Sequence, residues 1–165
     1  VYDCPGKEDE AECESYTCPG FYRCYSSTVC LHVSHVCDGW SQCPQLDDER
    51  FCHLTCPEGC ICLGLAFTCA TVFPANQHQH LRSLDGSGSG LTPQHLLHHL
   101  LLVHLDLSDC NLTDMFLFTL PNLLSLDVGN NLLHNISADN LQGVRNLQSL
   151  SLAGNPLTSL FVSDV

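Results

Sequence analysis

Basic side chains are scarce: the 165 residues hold five Lys and Arg against 18 Asp and Glu, a formal net charge of −13. A surface this acidic repels nucleic acid and anionic membranes, and attracts cations, basic peptides or calcium. Long apolar runs are lacking too. The richest stretch, 96–107, is broken by His98, His99, His104 and Asp106, short of the roughly 18 residues of a membrane span. No secretory leader opens the chain; a membrane attachment is expected only through a longer parent continuing beyond Val165. Signatures of catalysis are missing: no nucleophile elbow, no paired His ligands on a helix, no phosphate-cradling glycine loop. The expectation is therefore that the chain is not an enzyme, with no catalytic residues.

Cysteine is almost absent from the second half. Of 13, all but Cys110 lie between Cys4 and Cys69. That first part has few aliphatic residues and needs covalent or metal staples. The second is leucine-dense and needs none, so at least two domains are implied. Cysteines at this density persist as disulfides in an oxidising compartment, which predicts an extracellular location, secreted or on a cell surface. A zinc site would favour C-x2-C pairs with a distant matching pair, and that arrangement is missing. Asn111-Leu112-Thr113 and Asn135-Ile136-Ser137 read as glycosylation acceptors.

Residues 14–52 carry Cys18, Cys24, Cys30, Cys37, Cys43 and Cys52. Cys37-Asp38-Gly39-Trp40-Ser41-Gln42-Cys43, then Asp47-Asp48-Glu49, bunch acidic and amide oxygens inside this knot. Calcium takes roughly six to eight oxygens in a flexible shell and suits such a loop; the plainer reading is a solvated acidic loop. The segment resembles a low-density-lipoprotein-receptor class A module through Tyr22-Arg23-Cys24, Cys30-Leu31, Cys37-Asp38-Gly39 and Asp48-Glu49 before Cys52. The resemblance implies pairings Cys18–Cys30, Cys24–Cys43 and Cys37–Cys52. It also implies calcium held by the side chains of Asp38, Gln42, Asp48 and Glu49 and the backbone carbonyls of His35 and Trp40. Gln42 stands where the family usually has an acid, so one negative charge is missing. Asp3-Cys4-Pro5-Gly6, Asp9-Glu10 and Cys13 repeat the end of this pattern. Residues 1–13 thus read as the tail of a preceding module, or as an acidic leader in which Cys4 pairs with Cys13.

In residues 53–74, the spacing of Cys56, Cys60, Cys62 and Cys69 resembles the amino-terminal cap of extracellular leucine-rich repeats. It implies the pairs Cys56–Cys62 and Cys60–Cys69. A cap is needed because the first repeat of a solenoid exposes its apolar end. Over 75–165, Leu102-x-x-Leu105-x-Leu107-x-x-Cys110-x-Leu112 fits the leucine-rich pattern. So do Leu123 to Leu133 and Leu147 to Leu157, while Leu81-x-x-Leu84 begins a weaker copy with Gly86 in place of a leucine. About four repeats result, and Leu157-x-x-Leu160 reads as the start of another. The fold class expected is a small disulfide-rich calcium module followed by an α/β leucine-rich-repeat solenoid with short parallel strands on its concave face. Cys110, at the repeat's Asn/Cys position, should be a buried thiol bonded to the loop backbone.

Residues between the strand leucines should face the concave side, which stacks Asp85, Asp106 and Asp127 about 4.8 Å apart. Stacked like charges cost stability that a cationic ligand would relieve; yet Asp is also ordinary at this position. His104 lies on the same face. His78, His80, His95, His98 and His99 are expected in exposed returns, and protonation of the histidines below about pH 6 would offset much of the negative charge.

A class A module ahead of a capped solenoid resembles the ectodomain of leucine-rich-repeat G-protein-coupled receptors of the relaxin-receptor type. The resemblance implies a peptide or protein ligand met by Asp85, Asp106, Asp127 and His104. Rival expectations are a secreted matrix or adhesion protein, and an endocytic cargo receptor.

Overall fold

The computed structural model describes residues 18, 21–50, 52, 55–72, 78–115 and 119–160. The expected module tail at 1–13, with Cys4 and Cys13, lies outside the described residues. Strands β1 (Tyr22–Arg23) and β2 (Cys30–Leu31) pair antiparallel, Tyr22 opposite Leu31 and Arg23 opposite Cys30. A ribbon of two-residue strands cannot sustain itself in water. Disulfides Cys18–Cys30, Cys24–Cys43 and Cys37–Cys52 hold it instead, the pairs the class A resemblance implies. Besides the buried sulfurs of Cys18, Cys24 and Cys43, this part buries only Val33, Val36 and Asp48 among its described residues. Such a core is too small to stand without the bridges.

Strands β3 (Cys60–Leu63) and β4 (Ala66–Cys69) form an antiparallel hairpin stapled by Cys56–Cys62 and Cys60–Cys69. From β4 onward the sheet turns parallel, adding β5 (Ser83–Asp85), β6 (His104–Asp106), β7 (Ser125–Asp127) and a fourth repeat strand, Ser149–Ser151. The cap is thus the first two strands of one six-stranded sheet rather than a separate plug. The hairpin's second strand gives β5 its hydrogen-bonding partner, so the cap covers a sheet edge as well as an apolar end.

Behind the sheet lies one core. Leu84, Leu105 and Leu126 point into it from the strand centres, joined by Leu81, Leu102 and Leu123 from the preceding turns. Burying each such leucine stabilises by roughly 1.5–3 kcal/mol. Where Gly86 stands in place of leucine, the buried Leu91 fills the space: a Cβ on Gly86 would lie 2.6 Å from its Cδ1. Cys110 is a buried free thiol whose Sγ donates to the Gly86 carbonyl at 3.2 Å. On the outer side run a 3-10 turn at Pro93–Leu96, β8 (Asn135–Ile136) and a one-turn helix α1 (Ala138–Leu141).

Two sequence expectations fail here. Leu157-x-x-Leu160 does not begin another concave strand. Instead Ser159–Leu160 pairs in parallel with β8, Ser159 opposite Asn135, as the outer return of the fourth repeat. The spacing misled because Leu133-x-x-Ile136 and Leu157-x-x-Leu160 are the same position in successive repeats. The histidine cluster is not uniformly exposed either. His99 is fully buried, and His78 is half-buried with its ring 5.2 Å from that of Phe67. His95 accepts the Thr92 backbone N–H and closes a capping box on the 3-10 turn.

Candidate functional site

The concave face is built by register. One row runs Ser83, His104, Ser125, Ser149 across adjacent strands, and the next runs Asp85, Asp106, Asp127, Ser151. The three aspartates therefore do form a column of neighbouring carboxylates. Each also bonds locally, with Oδ1 accepting the backbone N–H two residues on, from Ser87 at 3.1 Å, Ser108 at 2.8 Å and Gly129 at 2.7 Å. These bonds turn the chain at the strand ends, which explains in physical terms why Asp recurs here. Among the described residues the second oxygen of each carboxylate has no hydrogen-bond partner. His104, half-buried between Ser83 and Ser125 in the first row, is held below its ordinary pKa by burial first and by His32 second. Each row thus offers polar groups that are not buried.

The acidic loop is organised from within. Asp48, 0 % exposed, accepts at Oδ2 from the backbone N–H of Gln42 (2.6 Å) and Cys43 (3.1 Å), and at Oδ1 from the Ser41 hydroxyl (3.3 Å). Glu49 accepts from the N–H of Asp38 (2.8 Å) and Gly39 (3.2 Å). Asp38 accepts from the Trp40 N–H at 2.9 Å, from the Gln42 amide at 3.2 Å, and meets His35 Nδ1 at 3.1 Å. The Trp40 bond is the chief reason that Asp38 sits below the ordinary carboxylate range. Asp38, Gln42, Asp48 and Glu49 are therefore gathered in one loop, and Ser41 joins them unforeseen. Among the described residues no three His, Cys, Asp or Glu side chains converge as a metal cage. The donor chemistry nonetheless suits calcium: all the candidates offer hard oxygens, and Asp48 is a buried carboxylate with no cationic side chain bonded to it among the described residues.

The module and the solenoid meet. The Leu65 N–H donates to the Val33 carbonyl at 3.3 Å, and Gly64 lies so close that a Cβ would stand 1.7 Å from the Val36 carbonyl oxygen. Tyr22 donates its phenol to Asp47 Oδ2 at 2.8 Å, which also accepts the Tyr25 N–H at 2.8 Å. Burial and that bond push the Tyr22 phenol up to about 12. For Asp47, burial pushes upward but the bonds from Tyr25 and Tyr22 outweigh it, and its pKa is lowered. Asp47 was visible in the acidic run, but nothing in the sequence tied it to Tyr22.

The glycosylation candidates Asn111 and Asn135 are both exposed, Asn111 with a positive φ of 56°. Asn135 accepts from the hydroxyls of Thr158 and Ser159.

No helix among the described residues is long and apolar enough to cross a membrane. Five disulfides among the described residues, all between Cys18 and Cys69, are consistent with an extracellular, oxidising setting. No curated protein matches the chain. Residues 101–157 match the family model described as leucine rich repeat, and with the stapled region before them they fit a protein-interaction ectodomain.

Proposed function

We propose that this chain is the extracellular ligand-recognition region of a leucine-rich-repeat G-protein-coupled receptor, binding a basic peptide or protein on its concave face and catalysing nothing. One observation carries the reading. Asp85, Asp106 and Asp127 stand in register on adjacent strands, each with one oxygen engaged locally and one without a partner among the described residues. A row of open carboxylates on a protein of net charge −13 attracts Lys or Arg and steers them to it. The local bonds fix the carboxylates in advance, so little ordering is lost when a ligand pairs with them. The receptor assignment rests on module order: stapled acidic loop, cap, solenoid. Asp106→Asn keeps the turn bond, because an amide oxygen also accepts, and removes only the charge. Binding of an arginine-rich peptide should weaken by about 0.5–1 kcal/mol at low salt and less at high salt. A loss that ignores salt refutes the charge role. Seven apolar spans in the parent beyond Val165 support the receptor; a parent that ends without one favours a secreted matrix protein.

Calcium belongs to the same proposal. Asp38, Asp48 and Glu49, with the Gln42 amide oxygen and the carbonyls of His35 and Trp40, would hold it. The ion would supply positive charge that lets the carboxylates lie together and would stiffen 37–49. Chelation should speed backbone amide exchange in 37–49 while the melting of 81–157 stays put; an unchanged loop refutes the metal.

A further inference from the structure

Between module and solenoid lies a cavity of about 420 Å³, within the size range of small-ligand pockets. Its apolar walls include Val36, Leu65 and Leu101 with the Tyr22 ring, and Asp47 and Arg82 also face it. Two polar atoms there are unmatched. Asp47 Oδ1 and Arg82 Nε are both buried, and neither has a hydrogen-bond partner among the described residues. Asp47 spends its other oxygen on Tyr22 and Tyr25, so Oδ1 is the half left over. Arg82 comes from the turn before β5, where its backbone N–H binds the Leu65 carbonyl and its own carbonyl accepts from Val103 and His104. The backbone is thus pinned while the guanidinium Nε has no acceptor, and burial pushes the Arg82 pKa down, partly offset by Tyr22.

A buried acceptor and a buried donor left unmatched are both unfavourable, the more so where the group is charged. The two do not pair with each other, so both sides of the cavity keep an unmet requirement of opposite sign. We infer that this interdomain cavity is a binding site for a small zwitterion with an apolar body, its carboxylate on Arg82 and its ammonium on Asp47. Arginine's planar fork suits a carboxylate, Asp47 Oδ1 accepts an ammonium proton, and the apolar walls take the side chain. A zwitterion of this kind touches the module through Asp47 and the solenoid through Arg82, so its binding would also tie the two parts together.

L-Phenylalanine is the probe, titrated by calorimetry into the intact chain, with phenylacetate and phenethylamine as its two halves. Phenylalanine should bind in the millimolar range or tighter, and each half at least about tenfold more weakly. Arg82→Met should abolish binding while leaving the unfolding midpoint unchanged or higher, because it removes the buried Nε donor that has no acceptor among the described residues. Leu101→Trp narrows the cavity without touching either charge and should weaken binding as much. Absence of heat with phenylalanine overturns the inference. So does equal binding by either half, or binding that survives both variants.

Discussion

Asn131 carries the best-defined stake in the solenoid, and its removal can be worked out group by group. It is 3 % exposed. Oδ1 accepts the backbone N–H of Cys110 at 3.0 Å and of Leu112 at 2.9 Å. Nδ2 faces the carbonyls of Leu107 at 2.9 Å, Val128 at 2.9 Å and Gly129 at 3.0 Å. Val128 keeps a second donor, Asn155 Nδ2 at 2.8 Å, and Gly129 keeps the Asp109 N–H at 3.1 Å. Asn131→Ala therefore strands three groups: the N–H of Cys110, the N–H of Leu112 and the carbonyl of Leu107. At about 1–3 kcal/mol for each buried orphan the ceiling is high, and a water entering the void lowers it. We expect a loss of at least about 3 kcal/mol by urea unfolding followed by circular dichroism, a large part of a typical domain's stability. Asn131→Asp should lose at least as much, since a carboxylate oxygen would then face three carbonyls where an amide donated. A loss below about 1 kcal/mol for Asn131→Ala would refute the reasoning.

Burial, reinforced by His32, holds His104 below its ordinary pKa, so the unfolded chain takes up this proton first. Its contribution to stability is complete above about pH 6.5 and is lost as pH falls from there toward the folded value. His104→Gln should flatten the pH dependence of the denaturation midpoint across that window; an unaltered slope rules the group out. Gly64→Ala combines a positive φ of 55° with a collision at the Val36 carbonyl. It should cost more than about 1 kcal/mol and accelerate exchange of the Leu65 amide, the bond that joins cap to module. Unchanged exchange would mean the two parts are not packed through that glycine.

What the sequence made legible was local or repeated. Leu102, Leu105 and Leu107 announce a strand and its turn within six residues, and the same spacing recurring at Leu123 and Leu147 sets the register. The Asp85–Asp106–Asp127 column follows from that register alone. Cys110 could be read as a buried thiol for the same reason. Other features depend on residues far apart in the chain, for which no local pattern exists. Leu91 fills the gap at Gly86 from five residues on, in a turn whose path the sequence does not specify. The cap's hairpin joins the sheet because Ala66–Thr68 meets Ser83–Asp85, a pairing that cysteine spacing cannot announce. Tyr22, Asp47 and Arg82 converge only through docking of the module. Asp38, Asp48 and Glu49 were legible as a cluster, but their bonds to the N–H groups of Asp38, Gly39, Trp40, Gln42 and Cys43 follow from the disulfide-pinned path of the loop.

The most direct test compares two variants of equal charge. Asp85→Asn, Asp106→Asn and Asp127→Asn together remove the column. Glu58→Gln, Asp114→Asn and Asp139→Asn together remove three exposed acids elsewhere. Binding of an arginine-rich peptide is measured for both against the unaltered chain at low salt. Loss in the column variant with near-normal binding in the other is the predicted result. Equal losses would contradict the account, because they would make the attraction a property of net charge and not of the concave face.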